Sequence, residues 1–205
     1  MLKVPPISNL QNVSGHFNMP RKIKRIGLTL GLFSTIISFL FFGRQQGTYQ
    51  ILLLSGLVLS LILYLTILFG KETAKSRIVW TLVVLLAGTI QWLTEPLLIK
   101  SSYLIYLNSN DEELVAVNNM LKDKSDEIHI LNDNITDKSN LLTQVEKDSL
   151  IKFRQELNVY IISKTDNGVY YGLWGFLDVR IGLTYWSKTE KPKEGMTQLK
   201  DKWYY

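Results

Sequence analysis

Apolar residues are concentrated in three long runs in the first half of the chain. The runs cover Ile26–Gly43, Ile51–Gly70 and Ile78–Ile99. As α-helices they would span about 27 to 33 Å, which matches a hydrocarbon core of about 30 Å. A helix that is apolar on all sides belongs in a bilayer or inside a large protein, and this chain is too short for the second. The pattern therefore predicts a three-helix transmembrane region over residues 26–99.

Small residues recur every four positions in the first two runs, and polar residues do so in the third. Small side chains at this spacing let two helix backbones approach closely, although glycine is also simply frequent in such helices. A polar pair four residues apart indicates either a contact between helices or a helix end that approaches water, and a neighbouring tryptophan and proline favour the second. The candidate helix-packing residues are Gly27, Gly31, Gly56, Ser60, Gln91 and Glu95.

The second half of the chain is polar and begins with helical signals. Ser109 followed by Glu112, and Thr143 followed by Glu146, have the spacing of a capping box, in which the two side chains bond each other's backbone N–H groups. Apolar residues at helical spacing follow each pair. These signals predict helices over residues 110–123 and 143–157, with a loop and one short strand, 128–131, between them.

After Asn158 the apolar period changes from helical to alternating. Residues 159–164 and 169–174 flank the sequence Thr-Asp-Asn-Gly, which is a strong hairpin signal. Alternation continues over 179–186 after a turn at 175–178, and 200–205 is predicted to return as an edge strand. The predicted fold class is an integral membrane α-helical anchor plus a small α+β domain, residues 100–205, with two helices and a three- to four-stranded antiparallel sheet.

Charge is divided unevenly along the chain and predicts its orientation. Residues 1–99 hold 9 of the 23 basic side chains but only 2 of the 18 acidic ones. Five basic residues lie in the tail, residues 1–25, and three in the second loop, whereas the first loop has only Arg44. Because basic loops stay in the cytoplasm, the tail should be cytoplasmic and the domain extracytoplasmic at the cell (inner or plasma) membrane. The same bias accounts for the high pI without nucleic-acid binding.

The tail and first run also resemble a signal peptide in outline, with basic residues before an apolar stretch. The 18-residue run is longer than a usual signal-peptide core, and Phe41, Phe42, Gly43 and Arg44 offer no small-residue cleavage site. We therefore expect an uncleaved anchor.

Catalytic and cofactor signals are weak in this sequence. The chain has no cysteine, and His129 is the one histidine after residue 99, so a His/Cys metal cage in that domain is excluded. No nucleophile elbow, phosphate-binding loop or dinucleotide fingerprint is present. We predict no catalytic residue, no cofactor and no metal, and hence a protein that is not an enzyme.

Aromatic residues crowd into the end of the chain, with ten between Tyr160 and Tyr205. Adjacent aromatics in a strand point to opposite faces, so both faces of the sheet should carry rings. Such rings could form a two-sided core, rest on the membrane interface, or form an exposed surface that binds a partner. The candidate partner surface consists of Tyr171, Trp174, Trp186 and Trp203.

Together these features favour a multi-pass membrane protein that presents a small protein-binding domain outside the cytoplasm. An accessory, sensor or immunity-type role would suit such a domain. The expected partners are the lipid bilayer and either another protein or further copies of the chain, with no nucleic acid. The alternative is an oligomerising pore-forming or membrane-disrupting effector, in which the helices associate and the soluble domain regulates them.

Overall fold

The three apolar runs form three long helices in the computed structural model. The structure describes residues 19–43, 45–124, 127–176, 179–188, 192 and 195–205, with the backbone alone at 176, 179 and 180. Helix α1 covers Arg21–Ser38 and continues into a 3₁₀ turn at Phe39–Phe41. Helix α2 covers Gln46–Leu68, and helix α3 covers Ala74–Ser109. All three are long and apolar enough to cross a membrane.

The first two helices pack against each other at backbone distance. A Cβ added at Gly31 would lie 3.0 Å from the carbonyl oxygen of Gly56, and one added at Gly56 would lie 2.8 Å from that of Gly31. Only glycine leaves room for this approach, since any larger residue would meet backbone atoms. Thr35 and Ser60 are buried beside the crossing. Helices α1 and α2 therefore form one tight hairpin.

Helix α3 is longer than the third apolar run. Its 36 residues extend about 54 Å, and the predicted membrane segment 78–99 lies inside it. Pro96 interrupts only the hydrogen bond that an N–H there would donate to the carbonyl of Trp92. Beyond the apolar run, Tyr103, Tyr106 and Leu107 continue the helical spacing and are buried in the core of the sheet domain. The predicted domain boundary at Lys100 thus falls within a continuous helix.

The helices place their connections at two opposite ends of the bundle. At one end Arg21 lies 3.5 Å from the Glu72 carboxylate, so the start of α1 meets the turn between α2 and α3. At the other end the N–H of Gly43 donates to Ser102 Oγ at 2.8 Å, which joins the turn between α1 and α2 to α3 where it enters the domain. The irregular tail predicted over residues 1–25 ends earlier than expected, because α1 begins at Arg21. Residues 1–18 lie outside the described residues.

Two short helices follow, and their starts differ from each other. Helix α4 covers Asp111–Leu121 and begins at Asn110 without a side-chain cap, so the predicted capping box from Ser109 is wrong. The Asn110 side chain instead donates to the Tyr106 carbonyl at 2.7 Å and closes the end of α3. Helix α5 covers Gln144–Glu156 and has the predicted box: Thr143 N–H donates to Glu146 Oε2 at 2.7 Å, and Glu146 N–H donates to Thr143 Oγ1 at 3.3 Å.

The sheet is antiparallel throughout and has seven strands among the described residues, where three or four were predicted. The strand order is β2-β1-β3-β4-β5-β7-β6. The strands are β1 (Ile128–Leu131), β2 (Asn134–Asp137), β3 (Ile161–Thr165), β4 (Gly168–Phe176), β5 (Val179–Trp186), β6 (Gln198–Lys200) and β7 (Trp203–Tyr204).

Two strands, β2 and β6, were not predicted as separate elements. Strand β7 lies within the predicted edge strand 200–205 but is not at the edge, because β6 pairs on its outer side. Strand β2 returns beside β1 through a turn in which Asn132 has a φ of 54°, and β6 meets β7 through Asp201 with a φ of 47°. Left-handed asparagine and aspartate are typical of such turns. The predicted hairpin between β3 and β4 is confirmed, with Thr165 paired to Gly168. The predicted turn at 175–178 includes residues 177 and 178, which lie outside the described residues.

One face of the sheet packs on the end of α3, on α4 and on α5. Tyr171 in β4 lies at the centre of this core, is fully buried, and donates its hydroxyl to Asn118 Oδ1 at 2.8 Å. Tyr106 of α3 donates to the Leu157 carbonyl at 2.7 Å. The other fully or almost fully buried residues here include Leu114, Val117, Leu121, Ile128, Ile130, Leu150, Ile162 and Leu183. The last turns of α3 are therefore part of the domain core and not a linker.

Candidate functional site

A cleft of about 470 Å³ lies where the helix hairpin meets the sheet domain. One wall comes from the turn between α1 and α2 together with the first turn of α2. The opposite wall comes from the β1–β2 turn, the end of α5, the segment 158–160 that leads into β3, and strand β4. The lining residues are Phe42, Gln45, Gln46, Gly47, Thr48, Asn132, Arg154, Asn158, Val159, Tyr160 and Leu173.

Arg154 is the charged side chain of this cleft, and most of it is buried. Its Nη1 donates to the Val159 carbonyl at 3.1 Å, and its Nη2 donates to Asp133 Oδ1 at 3.0 Å. These bonds fix the guanidinium plane, since two of its nitrogens are held from different directions. Its buried Nε has no hydrogen-bond partner within the part of the chain that the structure describes. One strong donor is therefore left unpaired behind the wall of the cleft.

Tyr160 and Gln46 contribute two more polar atoms of the same kind. The Tyr160 ring lies over Gly172, where an added Cβ would come within 2.6 Å of Tyr160 Cε1, so the ring position depends on a glycine in β4. The Tyr160 hydroxyl and the Gln46 Oε1 are both buried, and neither has a hydrogen-bond partner among the described residues. A buried polar atom without a partner costs roughly 1–3 kcal/mol. The cleft therefore holds unused hydrogen-bonding capacity from three separate elements.

The three unpaired polar atoms of the cleft residues differ in hydrogen-bonding character. Arg154 Nε is a donor, Gln46 Oε1 is an acceptor, and the Tyr160 hydroxyl can act as either. Helix α2 begins beside them without a side-chain cap, which adds the positive end of a helix dipole. The described lining residues include no carboxylate and no histidine that could transfer a proton. A group that offers both acceptors and a donor would satisfy the cleft.

The aromatic residues expected to form a partner surface lie largely in the interior. Tyr171 is fully buried in the helix-covered core, and Trp186 is 9% exposed. Trp203 is half-buried against the rings of Tyr171 and Tyr185, with centroids 5.6 and 5.3 Å away. Trp174 is half-buried after a bulge that shifts the register of β4. Tyr171 and Trp186 therefore cannot contact a partner in this structure, because register places the first in the core and burial covers the second.

The residues expected at helix contacts lie between helices of one chain. Gly31, Gly56 and Ser60 form the α1–α2 crossing, and Gly27 faces Leu63, whose Cδ1 would lie 2.6 Å from an added Cβ. Gln91 of α3 has its Oε1 3.3 Å from Thr35 Oγ1 of α1. The small-residue face is therefore covered by the neighbouring helix of the same chain.

Glu95 lies one helical turn beyond Gln91, and its side chain is half-buried. Tyr49 of α2 is close enough to interact with its charge. Since α3 continues for 14 further residues, Glu95 does not mark the end of the helix. Its position is that of a polar residue facing the neighbouring helices near the domain end of the bundle.

His129 lies on the sheet face opposite the helices. Its Nδ1 is 2.7 Å from Ser163 Oγ on the paired strand, and its Nε2 is 3.8 Å from Glu127. Ser163 is almost fully buried in the middle of β3 and not on a sharp strand-to-helix turn, so its hydroxyl is poorly placed for attack on a substrate. We interpret the contact as a cross-strand hydrogen bond.

The strongest charge effects in the domain lie at the start of α5, away from the cleft. The hydrogen bond from Lys124 Nζ, at 2.9 Å, and those from the N–H and hydroxyl of Thr143 together lower the pKa of Glu146 to about 2. Burial would raise the pKa of Asp137, but hydrogen bonds from the N–H groups of Leu142 and Leu141 outweigh it, and the net effect is a lowered pKa. These carboxylates tie Lys124 and residues 141–143 to their surroundings.

Sequence reasoning missed the cleft because its polar atoms come from positions 46, 154 and 160, which share no motif. The one available signal was the Gln45–Gln46 pair at the start of an otherwise apolar helix.

The chain was compared with protein-family models, with curated proteins and with solved structures, and none of the three comparisons gave a match.

Proposed function

We propose that the chain is a multi-pass membrane protein with its start in the cytoplasm and its sheet domain outside. Residues 21–25 and 70–77 lie at one end of the bundle and contain seven basic side chains, whereas the domain lies at the other end. The rule that basic loops remain in the cytoplasm favours this orientation, and three crossings agree with it.

Single cysteines test the orientation cleanly because the chain has none of its own. Lys152→Cys is on the exposed side of α5, and Lys71→Cys is in the turn between α2 and α3. In intact cells a membrane-impermeant maleimide should label Lys152→Cys alone, and Lys71→Cys should react only after lysis. The reverse labelling pattern would overturn the orientation.

The function proposed for the domain is recognition of a partner protein, in an accessory, sensor or immunity-type role without catalysis. The single observation that carries this proposal is the cleft with its three buried, unpaired polar atoms, Gln46 Oε1, Arg154 Nε and the Tyr160 hydroxyl. A peptide unit or a side-chain amide presents a carbonyl acceptor and an N–H donor together. Inserted into the cleft, such a group would accept from Arg154 and donate to Gln46.

Because the cleft lies between the α1–α2 hairpin and the sheet domain, binding there could affect the membrane helices. One wall belongs to the α1–α2 turn and the other to the domain, and the two meet again at the bond between Gly43 and Ser102. A partner group held between the walls would therefore favour one relative position of hairpin and domain. Differential affinity for two such positions is what a sensor or accessory subunit requires.

Site-specific photo-crosslinking in native membranes tests this proposal. A photoreactive residue at Thr48 and, separately, at Asn132 samples the two walls, and the same residue at Lys152 is the control on the far side of α5. The proposal expects one protein captured from both walls and not from Lys152. Tyr160→Phe, which removes only the unpaired hydroxyl, should reduce that capture, while Tyr204→Phe on β7 should leave it unchanged.

Four results would contradict a protein-binding cleft, and the first three concern the captured protein. They are equal capture from Lys152, capture of different proteins from the two walls, and no effect of Tyr160→Phe at unchanged folded yield. Capture of lipid alone from both walls would also contradict it.

A further inference from the structure

The bundle end opposite the domain carries a strong excess of positive charge. Residues 21–25 and 70–77 contain seven basic side chains and a single acidic one, Glu72. The Glu72 side chain is 4% exposed and lies 3.5 Å from Arg21 and 3.7 Å from Arg25, so its charge is already used inside the protein. The remaining excess faces the level of the lipid headgroups when the helices span a bilayer.

A groove between α1 and α3 lies within this basic end. Two adjoining cavities of about 260 Å³ each share Arg25 and Trp80. The first is lined by polar groups of Thr73, Lys75 and Ser76, together with Val79. The second lies one turn further along α1 and is lined by Ile26, Thr29 and Leu30. The groove therefore changes from charged and hydroxylated to apolar as it runs into the membrane region.

The polar part of the groove is ordered by contacts within the chain. Arg25 Nη2 donates to Ser76 Oγ at 3.1 Å, and Ser76 N–H donates to Thr73 Oγ1 at 3.2 Å, which caps the start of α3. Lys75 has no ion pair with a carboxylate among the described residues. Its ammonium group is thus available to an anion from outside the protein.

The apolar part of the groove is open because α3 does not pack tightly on α1 here. No residue in the most apolar window of α3 is buried, and Ile26 and Leu30 are about 60% exposed. In a bilayer such surfaces contact acyl chains. Trp80, at the junction of the two cavities, has the position that an indole prefers, between headgroups and hydrocarbon.

We infer that this groove binds one anionic phospholipid of the surrounding leaflet. Its phosphodiester would lie between Lys75, Ser76 and Arg25, and one acyl chain would follow Ile26 and Leu30 past Trp80. Charge complementarity selects an anionic over a zwitterionic headgroup, and the apolar continuation selects a lipid over a free phosphate. The inference requires that the helices span a bilayer and is independent of what the cleft at the other end binds.

Native mass spectrometry of the full chain in a neutral detergent tests the site, because no charged bilayer surface contributes there. The probes are dioleoyl phosphatidylglycerol, dioleoyl phosphatidylcholine and soluble glycerol 3-phosphate. We expect one phosphatidylglycerol to bind, phosphatidylcholine to bind more weakly, and glycerol 3-phosphate not to displace it. Lys75→Gln should weaken phosphatidylglycerol binding about fivefold.

Lys71→Gln is the matched control, since it removes the same charge from the same turn but outside the groove. It should change the affinity less than twofold, and Ser76→Ala should fall between the two variants. Equal weakening by Lys71→Gln would show general attraction by a basic surface and overturn a built site. Equal binding of phosphatidylcholine, or displacement by glycerol 3-phosphate, would each overturn an anionic lipid site.

Discussion

Helices α2 and α3 are both long and apolar enough to cross a membrane, yet they pack differently. Helix α2 lies against α1 at backbone distance, through Gly56 and Ser60 facing Gly31. The most apolar window of α3 has no buried residue, and α3 instead gives its last turns to the core of the sheet domain. Composition therefore selects the bilayer for both helices, while small residues at a four-residue spacing decide which of them packs closely.

The largest expected change in stability comes from a substitution in the domain half of α3, compared with one in its apolar half. Tyr103→Ala removes a ring that is 2% exposed and contacts Gly43, Phe42 and Tyr205, and should destabilise the domain by about 3–5 kcal/mol. Leu93→Ala is the control on the exposed membrane half of the same helix and should have little effect on domain unfolding. Thermal unfolding in detergent, followed by near-UV circular dichroism, measures both. Equal losses would mean that the domain does not depend on the end of α3.

A second test compares the two membrane helices directly. Gly56→Leu forces a side chain against the Gly31 carbonyl and Thr35 and should destabilise the α1–α2 hairpin by about 1–3 kcal/mol. A Cβ added at Gly88 in α3 would have no described atom within 4 Å apart from the helix's own neighbouring backbone, so Gly88→Leu should be neutral. Unfolding in mixed micelles with increasing denaturing detergent reports the difference. A loss for Gly88→Leu as large as for Gly56→Leu would refute the distinction between the helices.

The smallest expected effect concerns acid. The pKa of Glu146 is lowered to about 2 by Lys124 and Thr143, below its ordinary value of 4.5. A carboxylate with a lowered folded-state pKa stabilises the fold above its unfolded pKa, and this contribution is lost as the pH falls through the folded pKa. Domain stability should therefore fall between about pH 4.5 and pH 2, whereas the uncharged α1–α2 crossing should not respond.

Glu146→Gln removes this dependence and Glu156→Gln is its matched control on the same helix. The first variant should unfold more easily than wild type at pH 7 and differ little from it near pH 2. The second should follow the wild-type profile. Parallel profiles for wild type and Glu146→Gln across this range would contradict the assignment.

Local signals made part of this fold predictable. The apolar runs predicted the three long helices, and Thr143 with Glu146 predicted the start of α5, because both signals are complete within a few adjacent residues. Ser109 with Glu112 carried the same local signal and failed, because Tyr106 and Leu107 keep α3 helical through Ser109 to fill the domain core. At that position the burial of Tyr106 and Leu107 therefore outweighs the local capping signal.

The candidate site depended on information that a single sequence does not contain. Tyr170 and Tyr171 are equivalent in sequence, and only the pairing of Tyr171 with Ile162 and Leu183 assigns it to the core. Strand β6 has only three residues, which is too short to show a period. The cleft residues Gln46, Arg154 and Tyr160 meet only after hairpin and domain have folded together.

Helix α3 is one continuous rod that connects the apolar helices to the sheet domain, so a tilt at one end displaces the other. A rod of about 54 Å that tilts by about 10° moves its far end by about 9 Å. Membrane helices tilt when bilayer thickness departs from their apolar length, so in a bilayer of changed thickness we expect α3 to tilt and to move the sheet domain without any ligand. Spin labels on Lys71→Cys and Lys152→Cys should report a distance that changes between short-chain and long-chain lipids; an unchanged distance would mean that the anchor absorbs the tilt.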